Sequence, residues 1–260
     1  MATIHELLEN LTEDNIYEIA RGRISGATVW NKFGYNNDVD TGTEAVWSQG
    51  GAFTYLTTAS TVNVVSTSAQ DTLTTGTGAW TVLIYGVDSN WDDVIEVVVM
   101  NGTNNVESSN SYYGINRMVV YNTGTNDSNV GTITATATSN ATVQAHMPAG
   151  EGTTQQCLFT IQKEHTAMMA FVVLNALKLS GGGGSPRVTF KLWAYSHVTG
   201  SKYEVARTLL DTDIENTIPL PMPIPLVFTG RQTIWWEATT DTNNTEVGIR
   251  FSLVEYDDNI

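Results

Sequence analysis

Basic residues are scarce: 12 Lys and Arg stand against 27 Asp and Glu, a net charge of −15 over 260 residues. The basic residues never cluster, and a protein that holds nucleic acid by its phosphates needs a basic face, so nucleic acid is not expected as a partner. Charge of either sign is thin, 15% of residues, against about 25% in ordinary globular domains. Thr, Ser, Asn and Gly take its place, the residues of pleated surfaces and turns. Cysteine occurs once, at Cys157, which excludes an internal disulfide; set in "QQCLFTI", it reads as a buried strand position. Four of the six prolines fall in "IPLPMPIPL" (218–226). That segment must be extended and cannot be a central strand; it is expected outside the sheet or at a subunit contact. No apolar run is long enough to span a bilayer, so no membrane partner is expected. "MATIHELLENL" has no basic stretch leading into an apolar core, so no secretory signal is expected.

Catalytic chemistry is equally hard to find. His5, His146, His165 and His197 are scattered, with none at metal-ligand spacing. There is no G-x-S-x-G elbow and no phosphate-binding loop: "GGSPR" (183–187) ends in Arg, and the four glycines before Ser185 do not lead into a Lys-Ser/Thr helix. "DSNWDDVIE" sets Asp88, Asn90 and Asp92 at alternate positions, like the start of a calcium loop. Asp93 stands where that loop needs Gly, however, and Val99 where it needs Glu. The string reads as a hairpin turn with solvated acids. Paired carboxylates are uninformative among 27 acids. Trp235 and Trp236 suggest a sugar platform, but neighbours on a strand face opposite sides, so at least one belongs to a core. We therefore expect no catalytic residues, no metal site and no cofactor.

What is present is a change of period. Leu7, Leu8, Leu11, Ile16, Tyr17 and Ile19 recur at helical spacing and predict two short helices, about 3–10 and 13–20, ended by Gly22 and Gly26. From about Phe53 the period becomes two. "TVNVVST", "AWTVLIYGVD", "VIEVVVMNG", "YYGINRMVVYN", "VGTITATAT" and "ATVQAHM" read as strands, with turn residues such as Asn101-Gly102 between them. The second half continues with "QQCLFTIQ", "RVTFKLWAYS", "KYEVARTLL", "RQTIWWEATT" and "EVGIRFSLVEY". "AMMAFVVLNALKL" is long enough for a helix, but its Val pair and β neighbours favour a strand. "SGGGGSP" (180–186) reads as a flexible hairpin loop rather than a domain boundary. No helical pattern intervenes, so the fold class is mainly β: an antiparallel sandwich, as one elongated jelly-roll-like unit or two stacked sandwiches, with a short helical N-terminal extension.

Between helix and strands lies "NKFGYNNDVDTGTEAVWSQGG" (31–51), rich in aromatics yet so broken by Gly, Asn and Asp that neither helix nor long strand is expected. Lys32, Phe33, Gly34 and Asn36, then Asp38 and Asp40, then Trp47, Gly50 and Gly51, form a run that resembles a signature of structural proteins of tailed bacteriophages, of the marine or cyanophage type. "VVSTSAQDTLTTGTGAWTVLIYGVDSNWDDVIEVVVMNGT", "INRMVV", "NVGTITATA" and "PAGEGTTQQCLFTI" extend the likeness over most of 24–161, but not to 1–23. The resemblance implies a capsid decoration, or cement, protein built on a jelly-roll-type sandwich. Its expected partners are the major capsid protein and copies of itself, as dimer or trimer, on a head exterior after synthesis in the host bacterial cytoplasm. A head-fibre, neck or tail component with a host- or carbohydrate-binding role is the alternative, with a glycan as its ligand. Three segments follow: an attachment arm over 1–51, a first sandwich part over 52–150 and a second over 151–260, with one continuous domain over 52–260 as the alternative. The arm is expected to be mobile until a neighbour covers it, with Leu7, Leu8, Leu11, Ile16, Trp30, Phe33, Tyr35 and Trp47 as interface anchors.

Overall fold

The computed structural model describes residues 13–179 and 184–260. One helix, α1 (Glu13–Ala20), precedes a chain of strands: β1 (Ala27–Val39), β2 (Glu44–Ala45), β3 (Val62–Ser66), β4 (Ala79–Asp88), β5 (Asp93–Val99), β6 (Val106–Glu107), β7 (Tyr112–Thr123) and β8 (Ile133–Ala137). Then come β9 (Val143–Met147), β10 (Leu158–Thr160), β11 (His165–Lys178), β12 (Arg187–Ser196), β13 (Ser201–Asp211), β14 (Thr217–Thr229), β15 (Gln232–Thr240) and β16 (Thr245–Asp257). Every pairing between strands is antiparallel. The mainly β expectation holds, and β11 is a strand.

The strands form two sandwiches, one inserted into the other. The outer one joins a sheet β1-β16-β11-β14 to a sheet β10-β15-β12-β13, with β2 beside β15. Counting its eight long-path strands in chain order, the sheets read first-eighth-third-sixth and second-seventh-fourth-fifth. That is the strand order of a jelly roll, two Greek keys folded face to face. Its core is built by period-two burial: Val188, Phe190, Leu192 and Ala194 of β12 meet Val247, Ile249, Phe251 and Leu253 of β16 across the gap. Between its first and second strands the chain makes the other sandwich, sheet β6-β3-β8-β9 against sheet β5-β4-β7. A separate core of Val62, Val64, Val82, Ile84, Met118 and Ile133 holds that insertion together.

The root of the insertion is a short antiparallel crossing. Ser48 N–H donates to Gln155 O (2.9 Å), Cys157 N–H to Val46 O (3.0 Å), and Trp47 bridges Gln156. Gly50 and Gly51 both adopt positive φ, which only glycine takes cheaply. The chain reverses there, so that Gly50 O accepts from Trp47 Nε1 (2.9 Å) and Gly51 O from Ala45 N–H (2.8 Å).

Two expectations are corrected. Residues 31–51 are not an irregular arm: β1 runs unbroken to Val39 and pairs with β16 from Ala27↔Tyr256 to Asn36↔Val247. Its Gly and Asn residues fit because β1 lies at a sheet edge, where backbone pairing on one side is enough. The boundary at residue 52 therefore cuts the jelly roll, which owns β1 and β2 as well as β10 to β16. The hairpin expected at "SGGGGSP" is not formed either, because β11 and β12, which flank it, lie in opposite sheets; residues 180–183 are outside the described chain. The predicted helix over 3–10 also lies outside the described residues. The 13–20 helix is present as α1, and its Ile19 packs on Met168, Val254 and Tyr256 at the end of the β16 sheet.

The proline segment, expected outside the sheet, is instead part of it as β14, an edge strand that among the described residues pairs only with β11. Ile218, Leu220 and Met222 turn to the core. Pro219 and Pro221, at the alternate positions, lack an N–H only where β11 needs none.

Candidate functional site

The seam between the sandwiches gathers most of the unusual polar chemistry. Asn116 of β7 acts as a strand fragment: its Nδ2 donates to Thr160 O (2.9 Å) and its Oδ1 accepts Thr160 N–H (2.7 Å). Gln156 Nε2 donates to Ile115 O (2.8 Å). Aromatics fill the rest. Phe53 and Tyr55 pack on Trp235, and Tyr55 stacks on Tyr195 at 4.1 Å. Trp91, at the tip of the β4–β5 hairpin, stacks on Tyr113 at 3.8 Å and meets the His197 ring edge-on. Asp88 shapes that hairpin by accepting the N–H groups of Asn90 (2.7 Å) and Asp92 (3.0 Å), which is the turn expected of the string.

Burial governs the titratable groups here. Loss of solvent pulls the His197 imidazole down to about 4, and its Nε2 lies 2.9 Å from Thr233 Oγ1. His146 is lowered for the same reason; its Nδ1 meets Ser48 Oγ at 2.8 Å. Lys32 reaches from β1 into the seam, donates to Asn116 O, and is pulled down to about 7 by burial and by the Arg117 charge. Glu255 of β16, which accepts Trp30 Nε1 (3.1 Å), is pushed up to about 8 by burial and the nearby Asp93 carboxylate. Cys157 is fully buried, and burial drives its thiol upward. Among the described residues no three His, Cys, Asp or Glu side chains gather as a metal-holding group, and no helix is long and apolar enough to cross a membrane.

The anticipated interface anchors are dispersed. Leu7, Leu8 and Leu11 lie outside the described residues, and Ile16 is half-buried on α1. Trp47 is only 2% exposed, in a cluster with Ala45, Leu158 and Trp235. Trp30 packs edge-on against Phe159 at 5.3 Å. These two tryptophans serve the chain's own core, because β1 and the root crossing bring them there. Tyr35 is half-buried, and burial, with the nearby Glu246 carboxylate, pushes its phenol up to about 12. Phe33 alone of the anticipated aromatic anchors stands well out, at 42% exposure on the outer face of its sheet. Trp235 and Trp236 are both buried, facing different cores, so neither forms a sugar platform.

The outward apolar positions that sequence reasoning missed are on β5 and β11. Ile95, Val97 and Val99 point from β5 into solvent, at 61%, 52% and 45% exposure, beside Tyr85 and Leu83 of β4. Phe171 and Leu177 do so on β11. The signal was in "VIEVVVM", where apolar residues occupy both faces of a strand whose inward face is served by Val94, Val98 and the neighbouring Met100.

No family model and no curated protein matches the chain. Among solved structures it is similar to one described as the structure of infectious bursal disease virus Gx strain, at 11% identity over 89% of this chain and 77% of that one, with a TM-score of 0.21. The Gt strain structure gives 11% identity, 89% and 75% coverage, and a TM-score of 0.16. Likeness at this level carries no argument, so the reading of the fold rests on its own strand order.

Proposed function

We propose that the chain is a non-enzymatic structural protein of a virion, decorating a bacteriophage head by binding between major capsid proteins. The observation that carries the reading is the jelly-roll strand order, an architecture shared by viral capsid and lectin domains and therefore an argument by fold analogy. The resemblance to phage structural proteins adds to it, because the residues that carry the resemblance are put to architectural use. Gly34 lets β1 lie against the root crossing. Asn36 Nδ2 donates to Glu44 and to Ala45 O, and Asp40 accepts the N–H of Asn244. Trp47, Gly50 and Gly51 close the turn below it. A signature made of scaffold suits a protein whose task is to present a rigid surface. The burial of Trp235 and Trp236 weighs against the carbohydrate-binding alternative. The test is quantitative mass spectrometry of purified particles together with rebinding to stripped heads. Copy numbers on the scale of the capsid lattice, with saturable rebinding, are expected; a handful of copies per particle would move the protein to the neck or tail, and absence from particles would sink the reading.

A further inference from the structure

The chain has 12 Lys and Arg in all, yet three of them, Lys32, Arg117 and Arg250, line one cleft of about 410 Å³ with Asn31, Phe33 and Thr153. We propose that this cleft, between β1 of the jelly roll and β7 of the insertion, is a docking site for a carboxylate carried on a protein segment with apolar neighbours. The assignment stands on the cleft alone and does not depend on the virion reading.

The cations are held in place but left without counter-charge. Arg117 Nη2 donates to Asn31 O at 2.5 Å, and its guanidinium lies 5.9 Å from the centre of the Trp30 ring. That uses one of five guanidinium N–H groups. Lys32 is 3% exposed and forms the back wall; Asn116 O is the only acceptor its ammonium meets among the described residues. Arg250 is exposed at the mouth. Among the described residues the ion pairs are made by other cations, so none of these three has a carboxylate within bridging distance. Glu255 of β16, the strand that carries Arg250, is engaged elsewhere, accepting from Trp30 Nε1. Arg117 and Arg250 thus bring two uncompensated guanidinium groups beside a buried amine whose charge burial disfavours, and an anion joining them would favour the charged amine.

The surroundings select the kind of anion. A guanidinium presents a flat fork that matches a carboxylate or a phosphate. A polyanion would be repelled by the remaining surface of a chain of net charge −15. One carboxylate adds a single charge, and its flanking residues can use the apolar ground beside the cleft. There Phe33 pairs across to Arg250, Arg250 to Val173 and Val173 to Pro219. The next row places Phe171 beside Ser252 and Pro221. Phe33 and Phe171 are 42% and 41% exposed, so an acidic residue set between aliphatic ones would place its charge in the cleft and its neighbours on these rings.

The probe is the capped pentapeptide acetyl-Ala-Leu-Glu-Leu-Ala-amide, with its Gln counterpart and inorganic phosphate as separate arms at fixed ionic strength. Intrinsic tryptophan fluorescence, to which Trp30 beneath Arg117 contributes, is one readout, and calorimetry is the other. The Glu peptide is expected to bind saturably. The Gln peptide, and the Glu peptide with Arg117→Gln or Arg250→Gln, should bind at least about tenfold more weakly, since each loses a charge-assisted pair. Arg187→Gln, which breaks a pair with Asp211 elsewhere, should change nothing. Arg250 is at the surface, so its variant keeps the test valid even where Arg117→Gln unfolds. Equal binding of Glu and Gln peptides, or unchanged binding by Arg250→Gln, overturns the site. Phosphate displacing the peptide with equal or greater affinity overturns the assignment to a protein carboxylate.

Discussion

A single methyl group tests whether the stretch around Gly34 belongs to the core. A Cβ on Gly34 would stand 2.3 Å from Val46 O, 2.5 Å from Cys157 N and 2.6 Å from Cys157 Sγ. Val46 O and Cys157 N are the two ends of the hydrogen bond that closes the root of the insertion, so the methyl lands on that bond. Two of the three obstacles are backbone and cannot rotate aside. Relief requires β1 to lift away from the crossing, which costs about 1–3 kcal/mol as overpacking. Loss of the Cys157 N–H partner in a buried site adds about 1–3 kcal/mol. Gly34→Ala is thus expected to destabilise the protein by roughly 2–6 kcal/mol, reaching the extreme of single substitutions and a large share of an ordinary total stability. Urea denaturation followed by far-UV circular dichroism measures it. Cys157→Ala removes only the sulfur contact, so Gly34→Ala combined with Cys157→Ala should recover less than about 1 kcal/mol of the loss beyond additivity. A Gly34→Ala protein within about 0.5 kcal/mol of wild type would show that β1 rides loosely over the crossing. Full rescue by the double variant would show that the constraint is the thiol rather than the backbone.

Three further outcomes follow from particular sites. Asp71 is fully buried in the insertion and its carboxylate accepts from Ser66 Oγ and from the N–H groups of Ala79, Val130 and Gly131; Asp71→Asn turns an amide N–H₂ against these donors and should cost about 2–4 kcal/mol, whereas a change under 0.5 kcal/mol in urea denaturation would contradict the hub. Glu255 is held up at about 8 in the fold against 4.5 in the free chain, so the stability it contributes is complete below about pH 4.5 and is lost as pH rises through 8. Glu255→Gln, which mimics the protonated acid, should therefore melt close to wild type at pH 4.5 and increasingly above it towards pH 8.5, and a pH-independent difference would refute the assignment. Replacing residues 49–154 by Asn-Gly, a two-residue hairpin turn, joins Ser48 to Gln155 where Ser48 N already donates to Gln155 O; the remaining jelly roll is expected to fold cooperatively with β-type circular dichroism, and a shortened chain without a cooperative melting transition would mean that the seam, not its own core, holds it.

The strands were legible because burial here follows the period of two so closely. Val188 to Ala194 on β12 and Val62 to Ser66 on β3 alternate buried and half-buried without a break, and apolar residues fill all the buried positions but Ser66. The chain's route was not legible. Nothing local in "NKFGYNNDV" says that its partner is β16, more than 200 residues later in pairs such as Lys32↔Phe251. Gly34 was read as a breaker because a glycine needed for close approach looks the same in sequence as one needed for a turn. Trp47 was read as an anchor for another molecule because its pocket is assembled from Leu158 and Trp235, both far along the chain. The basic cleft was invisible for the same reason: Lys32, Arg117 and Arg250 are isolated in sequence, and only the insertion of one sandwich into the other brings them together.

That insertion also bears on how the protein meets its surroundings. A jelly roll leaves open strand edges, and an unprotected edge invites pairing with any exposed strand. On the β14 side, prolines at alternate positions remove the N–H groups that a new strand would need. On the β1 side the insertion stands against the edge, and Arg117 already occupies Asn31 O. Both edges of the sheet β1-β16-β11-β14 are thereby made poor templates for strand addition. What this sheet offers instead is its outer face, where Phe33, Val173 and Phe171 lie in rows around Arg250. Association through a face depends on side chains rather than on main-chain ladders, so it is selective for sequence. A partner on this sheet should accordingly be lost by substitutions at Arg250 or Phe171 that leave the backbone untouched. Strand addition would survive both changes, so binding that persists in an Arg250→Gln, Phe171→Ser double variant would count against the argument.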